Sequence, residues 1–263
     1  MGQWTAIVLA GRRPGEDAFA TAHGVTAKAL IEVGGEPMLG RVVRTLLDCP
    51  DVGPIVVLGQ EADALLRGRL SWIATHPRVS AAEGGDGISR SLLNVVGTPD
   101  APYPVLVTTA DHALLRREFV STFLADAAGA DVAFAVVDRW TVEALHPETK
   151  RTWIKFADGH YSGANLFALM TPRSRTTTEF WAGVEHDRKR ALKLMARFGP
   201  EMFLRTITRT ISLPEAAALA GKRFGVDIRA VTLPFAEAAI DVDKEADLEL
   251  VERILAERPG PDG

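Results

Sequence analysis

Short runs of apolar, largely β-branched residues alternate with amphipathic stretches through the first half of this chain. The runs are Ala6–Leu9, Ile55–Leu58, Val79–Ala82, Val105–Thr108 and Val132–Val137. Between them, Met38–Leu47, Ala62–Leu70, Ile88–Val96 and Arg116–Ala127 carry apolar residues at helical spacing, and each connection has crossover length. Strands with no polar face must be covered on both sides. The alternation therefore predicts an α/β fold, a Rossmann-like and mostly parallel sheet flanked by helices. Pro37 suits the first turn of the helix that Gly34-Gly35 introduces, and Pro50 follows its last turn.

The second half changes character. Trp153–Phe156 and Gly163–Leu169 read as strands around the turn Ala157-Asp158-Gly159, and helical residues follow from about Thr178 to Leu219. A helical lid or acceptor-side insertion over about residues 170–222 is expected from that change. Phe224–Leu233 returns as a strand, and Lys244–Glu257 spaces Leu248, Val251, Ile254 and Leu255 as a closing helix. Residues 1–257 thus read as a single domain. The tail 258–263 offers no apolar residue for packing and is expected to be disordered.

Composition narrows the function classes. A chain of 263 residues with 47% hydrophobic residues can bury a full core. Its net charge of −4 gives no global reason to bind nucleic acid, so any positive field must be local. The single cysteine, Cys49, excludes an intramolecular disulfide, and no Cys/His spacing suits zinc. The N-terminus runs straight into a strand and no window is long and apolar enough to span a membrane, so a cytoplasmic protein is expected.

The loop Leu9-Ala10-Gly11-Arg12-Arg13-Pro14-Gly15 puts glycines and two arginines directly after a buried strand, where main-chain amides can turn toward a phosphate chain. It is not a G-x-G-x-x-G fingerprint, and Lys28 does not sit at Walker spacing. Taken singly, Arg12, Arg13 and Lys28 would read as solvated loop residues. Together, Leu9-Ala-Gly-Arg-Arg and Lys28-Ala-Leu-Ile-Glu-Val-Gly-Gly-Glu-Pro-Met-Leu resemble the opening of NTP transferases with the glycosyltransferase A-type fold. That family includes molybdenum cofactor and sugar-phosphate nucleotidyltransferases.

The resemblance implies that Leu9, Ala10, Gly11, Arg12, Arg13 and neighbouring amides cradle a triphosphate. It also implies that Lys28 contacts phosphate oxygens, with Lys28, Arg12 and Asp111 as the catalytic groups. Phosphoryl transfer spreads negative charge over oxygen atoms, which fixed cations and amides stabilise. The loop departs from the family's usual form: Ala27 stands where proline commonly precedes the lysine, and Glu16–Gly24 is an insertion with no assigned role.

Three further segments carry candidates. Glu83-Gly84-Gly85-Asp86-Gly87-Ile88-Ser89-Arg90-Ser91 ends one strand run and opens a helix. By a loose likeness to the cytidylyltransferase of isoprenoid synthesis, Gly84, Gly85 and Ser91 would read the base; an ordinary glycine turn with an N-cap is the plainer alternative. Val105-Leu-Val-Thr-Thr-Ala-Asp111 resembles the family's strand-end motif, which implies Asp111 as a Mg²⁺ ligand. Ile240-Asp241-Val-Asp243 resembles the C-terminal motif, which implies Asp243 as the second ligand. Asp243 is also well placed to N-cap the last helix, Asp241 could support metal or substrate, and Asp247 suits the helix's first turn.

On the acceptor side, Gly163 and Asn165 match a family segment that faces the acceptor, unless Asn165 satisfies its own hairpin. Arg188 and Lys193, in the basic stretch Arg188-Lys189-Arg190 to Arg197, are candidates for drawing in a phosphorylated substrate. Trp140, Trp153 and Trp181 read as packing residues. The resemblance implies a Mg²⁺-dependent nucleotidyltransferase that uses an NTP, CTP before GTP, and a small phosphorylated acceptor. A metal-dependent glycosyltransferase, with Asp241-Val-Asp243 as its D-x-D, and a non-catalytic nucleotide-binding module are the alternatives.

Overall fold

A computed structural model describes residues 3–11, 17–85, 87–184 and 199–258. Its main sheet is built from β1 (Trp4–Leu9), β4 (Val52–Gly59), β5 (Val79–Glu83), β6 (Val105–Thr109), β7 (Val132–Asp138), β9 (Gly159–Leu169) and β10 (Ile228–Thr232), in the order β10-β7-β9-β6-β1-β4-β5. The strand β8 (Ile154–Phe156) extends it by pairing with β9, and β2 (Glu32–Val33) pairs with β3 (Glu36–Pro37) as a separate small ribbon.

Strand β1 lies between two parallel partners, with Ala6 opposite both Ile55 of β4 and Leu106 of β6. Its residues Ala6, Ile7 and Val8 are fully buried, as a strand with both faces covered requires. β4 and β5 are parallel, as are β7 and β10. Because β1, β4, β5 and β6 point the same way, the segments after their C-terminal ends gather at one edge of the sheet. That edge is where open α/β sheets bind ligands.

The second-half hairpin is not peripheral. β9 enters the middle of the sheet, antiparallel to both β6 and β7. Its register against β7 slips between Phe134 and Val136, which leaves Asn165 in a bulge at φ 49°. The helix Arg175–Val184 packs on Ile88–Val95, and Leu213–Phe224 packs on β10. The Asp158 carboxylate accepts from Leu213 N at 2.9 Å, tying the hairpin turn to the start of that helix. Ser212 caps it through a capping box with Glu215.

Some boundaries differ from the sequence reading. The stretch Ala62–Leu70 is not one helix: a turn at Ala62–Leu65 gives way to a 3₁₀ turn at Gly68–Leu70, with Gly68 at φ 59° between them. The helix expected to end near Leu219 runs on to Phe224, which delays the last strand to Ile228. Trp140 is 81% exposed instead of packed. Of the tail 258–263, Arg258 instead closes the final helix and lies 3.6 Å from Glu237, and residues 259–263 lie outside the described residues.

Two apolar cores matter for the site. The larger lies beneath the sheet and the helices Met38–Leu47 and Arg117–Ala127. The smaller joins Ile31, Val33 and Met38 to Ala113 and Leu114, and to Ile240, Val242 and Val251. It binds together three segments that are far apart in sequence.

Candidate active site

Each of those segments carries one polar side chain to the same point. Lys28 opens a 3₁₀ turn, Lys28–Leu30, after the extended residue Ala27. Asp111 follows the end of β6, and Asp243 precedes the final helix, Glu245–Glu257. The Lys28 ammonium lies 2.5 Å from Asp111 Oδ2 and 2.6 Å from Asp243 Oδ1. A main-chain bond from Val242 N to Asp111 O, 3.1 Å, joins the two acidic segments directly.

Burial alone would make Lys28 less basic, but the paired carboxylates of Asp111 and Asp243 outweigh it and hold its pKa above the usual lysine value. Thr109 Oγ1 donates to Asp111 Oδ1 at 2.5 Å and so fixes the carboxylate's other oxygen. Asp243 does not cap the final helix: its N-cap is Lys244, without a side-chain cap. Instead Asp243 N donates to Asp247 Oδ2 at 3.2 Å, which steadies the turn that presents the Asp243 carboxylate.

Asp241 faces a different set of partners. It forms an ion pair with Arg151, and Asn165 Nδ2 donates to its Oδ2 at 3.1 Å. Arg151 is only 10% exposed and also reaches the Asp241 carbonyl at 3.1 Å and lies 3.5 Å from Asp247 Oδ1. Asn165 therefore spends its amide on Asp241 and not on its own hairpin, because the bulge in β9 turns it inward. Gly163, exposed on the same strand, has nothing within 4 Å of where a Cβ would lie. Arg151, flanked by Lys150 and Thr152, reads in sequence as an ordinary loop residue, and no signal there marks its role.

His112, beside Asp111, is fully buried with no hydrogen bond to either ring nitrogen, and burial pushes its pKa down to about 4. It is a neutral packing residue, near Phe119 at a ring separation of 6.5 Å.

The ends of β1, β4 and β5 converge beside this cluster. Ala10 N is committed to Leu58 O at 2.9 Å and Leu9 O accepts from Ala110 N at 2.9 Å, so among the described residues only Gly11 of the first loop lies exposed. A Cβ on Gly59 would come within 3.0 Å of the Ala10 backbone, and one on Gly84 within 3.1 Å of Gly59. Glycine is required at both because two main chains pass so closely. Gln60 reaches from this junction to Gly85 O at 3.2 Å. Gly59 and Gln60 escaped the sequence reading; the signal was a strand, Val56-Val57-Leu58, ending on glycine.

Ser91 is buried and its hydroxyl is occupied within the loop: Oγ accepts from Gly85 N at 2.8 Å and donates to Gly87 O at 2.7 Å. It shapes the Gly84–Gly85 turn from inside. The insertion forms the short helix Ala18–Ala22, capped by Asp17, and docks on the final helix through His23 and Glu245 at 2.9 Å. Arg12, Arg13, Glu16, Asp86, Arg188 and Lys193 lie outside the described residues.

Two carboxylates meeting on one positive charge are a donor set suited to a hard cation. Mg²⁺ commonly takes one or two carboxylates and fills its remaining positions with water and phosphate oxygens. Asp111 and Asp243 fit that pattern. No group of three or more metal-binding side chains occurs among the described residues, so phosphate and water would have to supply the rest.

Comparison with known proteins places this geometry in context. Residues 6–176 match the model of the MobA-like NTP transferase domain. A hypothetical transferase structure from Thermus thermophilus is 31% identical, with a TM-score of 0.76 over 94% of this chain and 99% of that one. The 4-diphosphocytidyl-2C-methyl-D-erythritol synthase of Anaerococcus prevotii is 12% identical, with a TM-score of 0.57 and 97% of each chain covered. A CMP:2-keto-3-deoxy-manno-octonic acid synthetase complexed with CTP is 16% identical, with a TM-score of 0.55 over 97% of this chain and 99% of that one. The last two share the fold, a mostly parallel sheet of the glycosyltransferase A type. No curated protein matches the sequence. No helix among the described residues is long and apolar enough to cross a membrane.

Proposed function

The chain belongs to the MobA-like NTP transferase family, and from that premise we propose that it transfers a nucleoside monophosphate from an NTP to a small phosphorylated alcohol, sugar or cofactor precursor, releasing pyrophosphate. The observation that carries this reading is the convergence of Lys28, Asp111 and Asp243 at the end of the sheet where the glycine turns of β1, β4 and β5 meet. The nucleotide would lie along Gly11 and the Gly84–Gly85 turn. CTP is the favoured substrate and GTP the next, on the likeness of that turn to a cytidylyltransferase's.

Asp111 and Asp243 would hold Mg²⁺, which when bound neutralises charge on the phosphates and on the departing pyrophosphate. Lys28 supplies a fixed positive charge to phosphate oxygens as charge shifts during transfer. The acceptor phosphate attacks Pα in line. With a second pKa near about 6 it is largely an oxyanion at neutral pH, so no general base is needed. That agrees with a His112 that is buried and neutral. The Arg151–Asp241–Asn165 cluster holds β9 against the acidic segment, leaving Gly163 open toward the acceptor side.

The test is a screen of the four NTPs against phosphorylated alcohols and sugars, read by pyrophosphate release. CTP-dependent release that is lost in Asp111→Asn and Asp243→Asn is the expected result. Nucleotide binding with no turnover across the acceptor panel would overturn the catalytic reading, and wild-type turnover in Asp111→Asn would remove it as a ligand.

A further inference from the structure

A second concave surface shares no residue with the cluster just described. It is a cleft of about 330 Å³, with the guanidinium-bearing residues Arg41, Arg116, Arg117 and Arg258 in its walls. They come from three separate places: the helix Met38–Leu47, the start of the helix Arg117–Ala127, and the end of the final helix. A net-acidic chain has no general excess of cations to distribute, so four arginines around one cavity are a local arrangement.

Their charges are incompletely matched. Arg116 pairs with Glu237 at 2.8 Å, and Arg258 lies 3.6 Å from the same carboxylate. The Nε atoms of Arg116 and Arg258 are buried and have no hydrogen-bond partner, as is Arg258 Nη2. The Arg117 side chain is exposed and makes no hydrogen bond or ion pair among the described residues. Asp48 and Glu118 also line the cleft and offset part of the charge. Burial makes Arg258 less basic than usual; Glu237 opposes this, while Arg116 and Arg41 add to it. The helix Arg117–Ala127 opens with Arg116 at its N-cap, a residue that provides no side-chain acceptor for the first-turn amides.

We propose that this cleft is a binding site for a small phosphate-bearing anion, distinct from the site that holds Lys28. Guanidinium groups approaching from three elements suit a multiply charged, tetrahedral oxyanion better than a flat carboxylate, which one arginine can satisfy in a fork. The volume accommodates a diphosphate or a small phosphate ester. The cleft also grips the segments that carry Asp111 and Asp243. Arg41 Nε donates to Ala113 O at 3.3 Å and Thr45 Oγ1 to Leu115 O at 3.2 Å, just after Asp111. Glu237, shared by Arg116 and Arg258, stands in the turn Ala236–Ala239 that leads into Asp243. An anion that competes with Glu237 therefore acts on both.

The test is calorimetric titration of the whole chain with inorganic phosphate and with pyrophosphate, at low ionic strength and without divalent metal, with succinate as the carboxylate control. Lys28→Ala removes the ammonium contact of the other site, and a binding event for phosphate or pyrophosphate that depends on Arg117 should remain. Arg117→Ala, at an exposed position, should retain wild-type thermal stability and weaken that event at least tenfold; Arg117→Lys should recover part of it. In Lys28→Ala, amide exchange should show anion protection at residues 116–118. Which of the two anions binds more tightly separates a free phosphate from a diphosphate ligand. Loss of all binding in Lys28→Ala, equal affinity in Arg117→Ala, or equal binding of succinate would each overturn the proposal. None of these readouts depends on the reaction assigned to the other site.

Discussion

Replacing Gly59 by alanine tests how tightly the nucleotide end of the sheet is built. The added Cβ would lie 3.0 Å from the Ala10 carbonyl carbon, 3.1 Å from its oxygen and 3.1 Å from Gly11 N. Carbon atoms normally rest at about 3.5–4.0 Å from such neighbours. All three contacts are main chain, so no side chain can turn aside, and the tips of β1 and β4 must part. The hydrogen bond from Ala10 N to Leu58 O, 2.9 Å, lies at that junction and lengthens. Overpacking of this kind costs about 1–3 kcal/mol. For a chain of this size that lowers Tm by about 2–12 °C. The same displacement moves Gly11, so NTP affinity should fall about tenfold, equivalent to about 1.4 kcal/mol. Thermal unfolding and equilibrium NTP binding measure the two effects, with Gly163→Ala as a stability control because nothing lies within 4 Å of its Cβ position. A Gly59→Ala protein with wild-type Tm and wild-type nucleotide affinity would refute the claim that backbone approach dictates glycine here.

Lys28→Ala should reduce turnover by about 10²–10³, and Mg²⁺ should raise its Tm by more than it raises the wild-type Tm, since no ammonium then competes for Asp111 and Asp243. An equal Mg²⁺ shift in both proteins would speak against a shared locus. Arg151→Met leaves the Asp241 and Asp247 carboxylates without their largely buried partner, which should cost about 3–5 kcal/mol in denaturant unfolding; a loss under about 1 kcal/mol would mean the pair is not structural. His112 is pushed by burial from 6.5 to about 4, so below pH 6.5 the unfolded chain takes up a proton that the folded one refuses. Its contribution is intact above that pH and declines as pH falls toward 4, by up to about 3 kcal/mol in total. His112→Phe should flatten this decline in urea melts across the same range, and an unchanged slope would contradict the assignment.

The parallel half of the sheet was legible because buried parallel strands leave continuous apolar runs, and the turn after each run marks the ligand-binding edge. Asp111 stands out for the same reason, as a carboxylate two residues past the end of such a strand. The second half was read less well. Its hairpin contributes β9 to the middle of the sheet, and nothing in Gly163–Leu169 distinguishes a central antiparallel strand from a peripheral one. The sequence marks Asn165 as a candidate, but its inward turn depends on a register slip against β7 that only pairing creates. Arg151 was missed because its partners, Asp241 and Asp247, lie far along the chain. The broken helix at Ala62–Leu70 shows the opposite error, a periodic pattern overridden by Gly68 at positive φ.

The precision of the candidate site follows from how its segments are joined. A lysine after the first strand, an aspartate after the sixth and another before the last helix have no local reason to meet. They meet because Ile31 and Val33, Ala113 and Leu114, and Ile240 and Val242 are all buried in one small core, each only a few residues from the polar group it positions. Side chains alternate across extended backbone, so burying Ile240 and Val242 sends Asp241 and Asp243 to the other side. The bond from Val242 N to Asp111 O then fixes the spacing of the two acidic segments. Asp243 is thereby delivered to Lys28, while Asp241, two residues earlier, reaches Arg151 and Asn165. The apolar residues between the carboxylates thus decide which acid can serve the phosphate chemistry and which one anchors the neighbouring strand.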